Sequence, residues 1–332
     1  MKSLILLVTA ALIVVGGVID VTAQDAPSSP VKYCVNMGNT LEAPNEGEWG
    51  FVIQEDYFTV LADAGFESIR LPVRWSAHAE ESAPYTIDPD FFERIDEVIG
   101  WALDAGLQVV LNIHHYEEIM SDPAAHRERL IGIWEQIAAH YADSPPALIF
   151  EALNEPNNAL DADLWNPLQA DVIATIRETN PERWIVIGGE WWNSIDGLLT
   201  VEPPDDQHLI ATFHFYEPFE FTHQGAEWAT GSDAWLGTTW GSDQDYANML
   251  SRLQTAADWG AEHGIPVLMG EFGAYSRADM DSRIAWTTAA REISENLGIG
   301  WCYWEFAAGF GIYDRNTYQF NAIYEALIPV AR

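Results

Sequence analysis

The chain reads as an α/β protein, a single-domain (β/α)8 TIM barrel, and three observations carry that expectation. Short β-rich apolar runs alternate with amphipathic helical stretches, eight of each. No glycine-rich phosphate-binding loop follows the first run, which argues against an open doubly wound sheet. Polar and aromatic residues gather at the C-terminal ends of the apolar runs, where the βα loops of a barrel converge.

The β-rich runs are 31–37, 68–72, 108–114, 147–154, 184–188, 209–215, 266–270 and 300–304. Helical stretches are expected near 54–64, 90–105, 123–141, 164–179, 192–200, 243–263, 277–297 and 320–330. Pro89-Asp90 suits the start of the second helix and Ser121-Asp122-Pro123 the start of the third. Gly65 and Gly106 stand where a helix must stop before the next strand. Strict alternation implies parallel strands with right-handed crossovers, and closure into a barrel leaves no edge strand exposed.

With 332 residues, 48% of them hydrophobic, the chain can bury a large core. That length could hold two domains, but a single α/β barrel commonly fills it. Residues 1–23 stand apart: Met1-Lys2-Ser3 is a short basic start, 4–18 is almost wholly apolar, and Val21-Thr22-Ala23 fits a small-residue cleavage site. A secretory signal is expected there, with 24–332 as the exported domain. The alternative is an uncleaved membrane anchor, which the short, glycine-interrupted run disfavours.

The formal charge is −36 at pH 7, and losing Lys2 and Asp20 with the signal leaves it unchanged. Such a surface repels nucleic acid and anionic membranes and disfavours polyanionic substrates. A neutral partner fits. The charge can serve solubility alone, or adaptation to high salt, where screening relieves self-repulsion.

Glu155 and Glu271 end different strands, the fourth and the seventh. Two carboxyls facing one pocket can act as acid and base or as acid and nucleophile, which is what glycosidic cleavage needs. Arg70 and Tyr216 are placed to keep one of them ionised. A buried structural ion-pair network is the competing reading. Glu151 lies deeper in the fourth strand; alternation points it into the barrel interior, where an arginine partner is expected. His114 and His115 with Glu117 raise the question of a metal. Adjacent residues on a regular strand face opposite ways, so no metal site is expected there.

The stretches "NMGNTLEAPNEGEWG", "ESIRLPVRWS", "LNIHHYEE", "IFEALNEPNN", "ATFHFYEPFEFTHQGAEW", "VLMGEFGAY" and "WCYWEFAAGFGIYD" occur in this order between residues 36 and 314, within a likeness that covers essentially residues 33–330. Together they resemble glycoside hydrolase family 5, the cellulase family of the (β/α)8 clan, and most nearly its bacterial endo-β-1,4-glucanases. The resemblance implies Glu155 as general acid/base and Glu271 as nucleophile of a retaining double displacement, without a cofactor. It implies that Asn154 bonds the sugar 2-hydroxyl and that Arg70 and Tyr216 orient Glu271. His214 is expected beside the acid/base, His115 on the same sugar, and Trp304 as the stacking floor. Asn39, Glu42, His114, His223 and Trp228 match cleft-lining positions.

The implied partner is a β-1,4-linked polysaccharide, glucan first, acted on outside the cell by a monomer that binds neither nucleic acid nor membrane. Endo-β-1,4-mannanase or dual activity is the alternative, and a catalytically inactive carbohydrate-binding barrel is the non-enzymatic one. No binding module follows the last helical stretch, so soluble or amorphous glucan is the expected substrate. Trp304 could instead be a core residue. Cys34 and Cys302 are expected inward on neighbouring strands, as reduced buried thiols rather than a disulfide across the seam.

Overall fold

The computed structural model describes residues 27–329. The expected signal segment, 1–23, lies outside the described residues. Eight strands form one closed parallel barrel in sequence order: β1 (Cys34–Asn36), β2 (Ser68–Leu71), β3 (Gln108–Asn112), β4 (Leu148–Glu151), β5 (Ile185–Gly188), β6 (Leu209–Phe215), β7 (Val267–Phe272) and β8 (Gly300–Tyr303). β1 pairs with both β2 and β8, which closes the ring. Among the described residues, no helix is long and apolar enough to cross a membrane.

The helices follow the start signals read from the sequence. Pro89–Asp104 begins on Asp88, whose carboxylate accepts the Asp90 N–H, with proline in the first turn. Pro123–His140 begins in the same way on Asp122. Asp243–His263 opens with a reciprocal Ser242–Asp245 capping box and closes on Gly264 at φ +66°. The stretch expected as a helix over 192–200 differs. It is two short turns, Glu190–Asn193 and Ile195–Leu198, broken because Trp191, Trp192 and Asn193 take positive φ. Apolar periodicity alone does not register such a break.

Inside the barrel, period-two alternation stacks side chains in layers. Cys34, Val110, Ile149, Val186, Ile210, Leu268 and Cys302 form one apolar cluster. Two residues further along the same strands stand Asn36, Asn112, Glu151, Gly188, Thr212 and Gly270, joined by Arg70 from β2. An apolar plug therefore underlies a polar layer. Gly270 leaves room in that layer: a Cβ there would come within 2.5 Å of the Thr212 hydroxyl.

One expectation needs correcting here. Cys34 and Cys302 are joined as a disulfide, not left as thiols. The parallel register sets Cys34 directly opposite Cys302, with Cα atoms 4.2 Å apart. Both point inward at the barrel seam, so the sulfurs meet.

Candidate active site

Arg70 is the centre of the polar layer and is fully buried. Its guanidinium forks onto Glu151, with Nε and Nη2 each donating to a carboxylate oxygen at 2.6 Å. Nη1 donates to Glu271 at 2.7 Å and to the Asn36 carboxamide at 2.9 Å, while Nη2 also reaches Asn154 Oδ1 at 2.7 Å. Asn36 in turn donates to the carbonyls of Gly270, Cys302 and Tyr303, tying β1 to β7 and β8. The interior arginine partner expected for Glu151 is thus Arg70. Burial opposes ionisation of Glu151, but the charge and hydrogen bonds of Arg70 outweigh it and hold the carboxyl below its ordinary range.

Glu271 stands at the C-terminal end of β7, one layer above. Its second oxygen accepts the Tyr216 hydroxyl at 2.9 Å. Burial pushes its carboxyl up; His214, Arg70 and Tyr216 pull it back, and the nearby charge of Glu155 adds to the rise. Glu155 lies four residues beyond the end of β4 on a residue with φ 50°. Its Oε1 accepts the His214 Nδ1–H at 2.7 Å. His214 Nδ1 also lies 3.6 Å from Glu271, so the imidazole stands between the two carboxyls. Single oxygens of Glu155 and Glu271 and a ring nitrogen of His214 all fall within 4.8 Å of one another. Among the described residues this is the one His/Cys/Asp/Glu group with metal-like convergence. Its oxygens, however, already accept from Arg70, Tyr216 and His214.

The two glutamates open into a cleft of about 610 Å³. Asn39, Glu42, His114, His115, Tyr216, His223, Trp228 and Trp304 line it with them. Arg70, Asn154 and His214 stand behind this surface as support. Trp304 therefore faces the cleft rather than the core, lying nearly parallel to His114 with ring centroids 5.8 Å apart. Gly38 makes that possible, since a Cβ there would sit 2.7 Å from the indole. Glu42 receives the backbone N–H groups of Asn39 and Thr40, and burial pushes its carboxyl to about 7.

The histidine pair also departs from expectation. β3 ends at Asn112, so His114 and His115 occupy the loop beyond it and both reach the cleft. The strand-alternation argument against a shared ligand does not apply to them. Their separate partners do distinguish them: His114 Nδ1 meets the Asn112 amide at 3.0 Å, and His115 lies edge-on to Trp49. Burial holds His114 well below the ordinary histidine range, and it pushes His223 down to about 4. His223 is therefore neutral at pH 7.

Trp49, Tyr275, Ala308, Gly309 and Phe310 also line the cleft and were not singled out from the sequence. Each sits in a loop. All five nevertheless fall inside, or directly at the end of, stretches that carried the family resemblance.

Endoglucanase H of Acetivibrio thermocellus is 36% identical over 293 residues, which span 86% of this chain and 31% of that protein. The chain spans about a third to a half of the length of the first curated relatives it matches. Among solved structures, Thermotoga maritima Cel5A in complex with cellobiose is 45% identical with a TM-score of 0.89, covering 90% of this chain and 97% of that one. The same protein in complex with mannotriose superposes equally well, with the same identity, TM-score and coverage. The family model for cellulase (glycosyl hydrolase family 5) matches residues 26–309, and the chain belongs to that family.

Proposed function

We propose that the chain is a retaining endo-β-1,4-glucanase in which Glu271 is the nucleophile and Glu155 the general acid/base. The observation that carries this reading is the approach of the two carboxyls, with oxygens within 4.8 Å of one another. Retaining glycosidases keep their carboxyls about 5–5.5 Å apart, and inverting ones about 6.5–9.5 Å apart to admit a water. Surroundings divide the roles. Glu271 accepts from a guanidinium and a phenol, which favour its ionised form as an attacking group. Glu155 is the more exposed of the pair and has the cleft in front of it.

In the first step a Glu271 oxygen bonds to the anomeric carbon as the glycosidic C–O bond breaks. Glu155 delivers its proton to the leaving oxygen, and a glycosyl ester of Glu271 results. In the second step Glu155, now a carboxylate, takes a proton from water, whose oxygen displaces Glu271 from the same carbon. The product keeps its anomeric configuration and both glutamates return to their starting states.

His214 holds Glu155 by a single hydrogen bond. Arg70 occupies the Asn154 carboxamide oxygen, which leaves the amide N–H₂ as the end that can donate to the sugar 2-hydroxyl. Trp304 supplies an apolar plane for the sugar ring, and His115 a polar edge beside it.

Mannan is the second substrate we propose, because a relative at 45% identity binds mannotriose in the same barrel. Export through a leader over 1–23, a catalytic domain over 24–332 and action as an extracellular monomer complete the reading. Reducing-end release from barley β-glucan, carboxymethylcellulose and galactomannan tests it, with Glu271→Ala and Glu155→Ala compared with wild type. Glu271→Ala should lose at least about a thousandfold in kcat on every substrate wild type cleaves. Full activity in Glu271→Ala would refute the mechanism.

A further inference from the structure

The reaction above leaves two fully buried glutamates beside the cleft without a part, Glu42 and Glu305. Glu305 follows Trp304 directly and is 0% exposed. The charged group that most affects it is another carboxylate, Glu42. Its oxygens instead accept backbone N–H groups: Ala307 at 2.9 Å, Ala308 at 2.8 and 2.9 Å, and Phe310 at 3.1 Å. Three converging amides form an anion-binding nest of the kind usually offered to a bound ion, here filled by the chain's own side chain.

The segment gathered in this way is the cleft wall. Ala308, Gly309 and Phe310 line the cleft on one side of Trp304. Phe310 packs against Tyr275 at 5.4 Å, Tyr216 at 6.0 Å and Trp228 at 6.2 Å between ring centroids. Gly309 lies so close to Tyr275 that a Cβ would come within 2.4 Å of its ring. The wall and the Trp304 floor thus meet at a loop whose shape is set by hydrogen bonds to one carboxylate.

We infer that Glu305 is a positioning residue for substrate: by gathering the amides of Ala307, Ala308 and Phe310 it fixes the aromatic wall against the Trp304 floor, and sugar binding depends on that spacing. The inference rests on the glucanase reading. Glu305 lies behind the loop and touches no reacting atom, so its removal should weaken binding and leave the chemical step intact.

Glu305→Gln keeps the size of the side chain but sets an N–H₂ group against amide donors. Glu305→Asp keeps the charge and retracts it by one methylene, out of reach of all three amides together. Steady-state kinetics on barley β-glucan should show KM raised about tenfold in Glu305→Gln, less in Glu305→Asp, with kcat within about twofold of wild type in both. A carboxylate needed only for stability would lower the melting temperature and the active fraction, and hence kcat, at unchanged KM. That pattern, or wild-type KM in both variants, would overturn the inference. Should Glu305→Gln fail to fold, Glu305→Asp decides by the same criterion. An active wild type with an unchanged KM in the variants removes this inference alone, whereas an inactive wild type removes the glucanase reading with it.

Discussion

Two pairs of buried glutamates stand near the mouth of the barrel, and they are held by different means. Glu151 and Glu271 share a cation, Arg70, at 2.6 and 2.7 Å. Glu42 and Glu305, on the loops after β1 and β8, have backbone amides for partners. The consequence shows in their acidity. Glu151 is pulled below the ordinary carboxyl range, while burial pushes Glu42 and Glu305 up to about 7. Amide hydrogen bonds satisfy a carboxylate's lone pairs but supply no net charge, so desolvation prevails. Glu271 is also raised, because burial and the charge of Glu155 outweigh its share of one guanidinium. The side of the barrel that carries the chemistry is held by a shared cation. The side that shapes the cleft is poised near its own titration.

The sharpest way to break that contrast is to remove the cation. Arg70→Met leaves Glu151 and Glu271 buried with no counter-charge, and losing one partner of a buried ion pair costs about 3–5 kcal/mol. Urea denaturation should show that loss, and reducing-end release should vanish in whatever protein remains folded. A variant as stable and active as wild type would mean that Arg70 is not what holds the two carboxylates.

Much of this was legible in the sequence, and what was missed has physical reasons. Period-two alternation along β4 was enough to send Glu151 inward toward an arginine, because side-chain direction on a strand is fixed by parity. Ten of the thirteen residues expected at the site line one cleft, since strand ends converge in any closed barrel. Parity could not decide the state of Cys34 and Cys302. Both were expected inward, but a disulfide also requires the stagger between β1 and β8, and that is set only when the barrel closes. Trp49, Tyr275 and Phe310 lie on loops, whose course follows from packing rather than from periodicity. The residues 191–193 resisted for a third reason, a run of positive φ in non-glycine residues.

The disulfide offers a milder perturbation of the comparison, because it joins the two strands whose loops carry Glu42 and Glu305. It closes a loop of 268 residues, and losing a native disulfide costs about 2–4 kcal/mol. Cys34→Ser with Cys302→Ser should lower stability by that amount in urea. Amide hydrogen exchange should rise more at 307–310, on the loop directly after β8, than around Arg70, whose strand is also paired by β3 on the side away from the seam. Equal deprotection on both sides would show that the seam does not preferentially support the amide-held pair.

The last effect is the dependence of stability on pH, and its sign discriminates between the two pairs. Glu42 and Glu305 have folded-state values near 7, raised from an ordinary 4.5. Between those limits the unfolded chain has released protons that the folded protein still holds, so stability falls as pH rises. Their contribution is fully present below about pH 4.5, declines on the order of 1 kcal/mol per pH unit for each group, and is exhausted above about pH 7. Glu151 has the opposite sign: its lowered value stabilises above its ordinary pKa, and that support is lost as pH falls through the folded-state value. Denaturation midpoints taken from pH 4.5 to 8 should therefore decline toward neutrality in wild type. They should decline less steeply in Glu42→Gln and Glu305→Gln, each of which removes one titrating group. Identical slopes in wild type and both variants would mean that these carboxyls do not titrate there, and that burial beside backbone amides leaves a glutamate no nearer neutrality than burial beside an arginine.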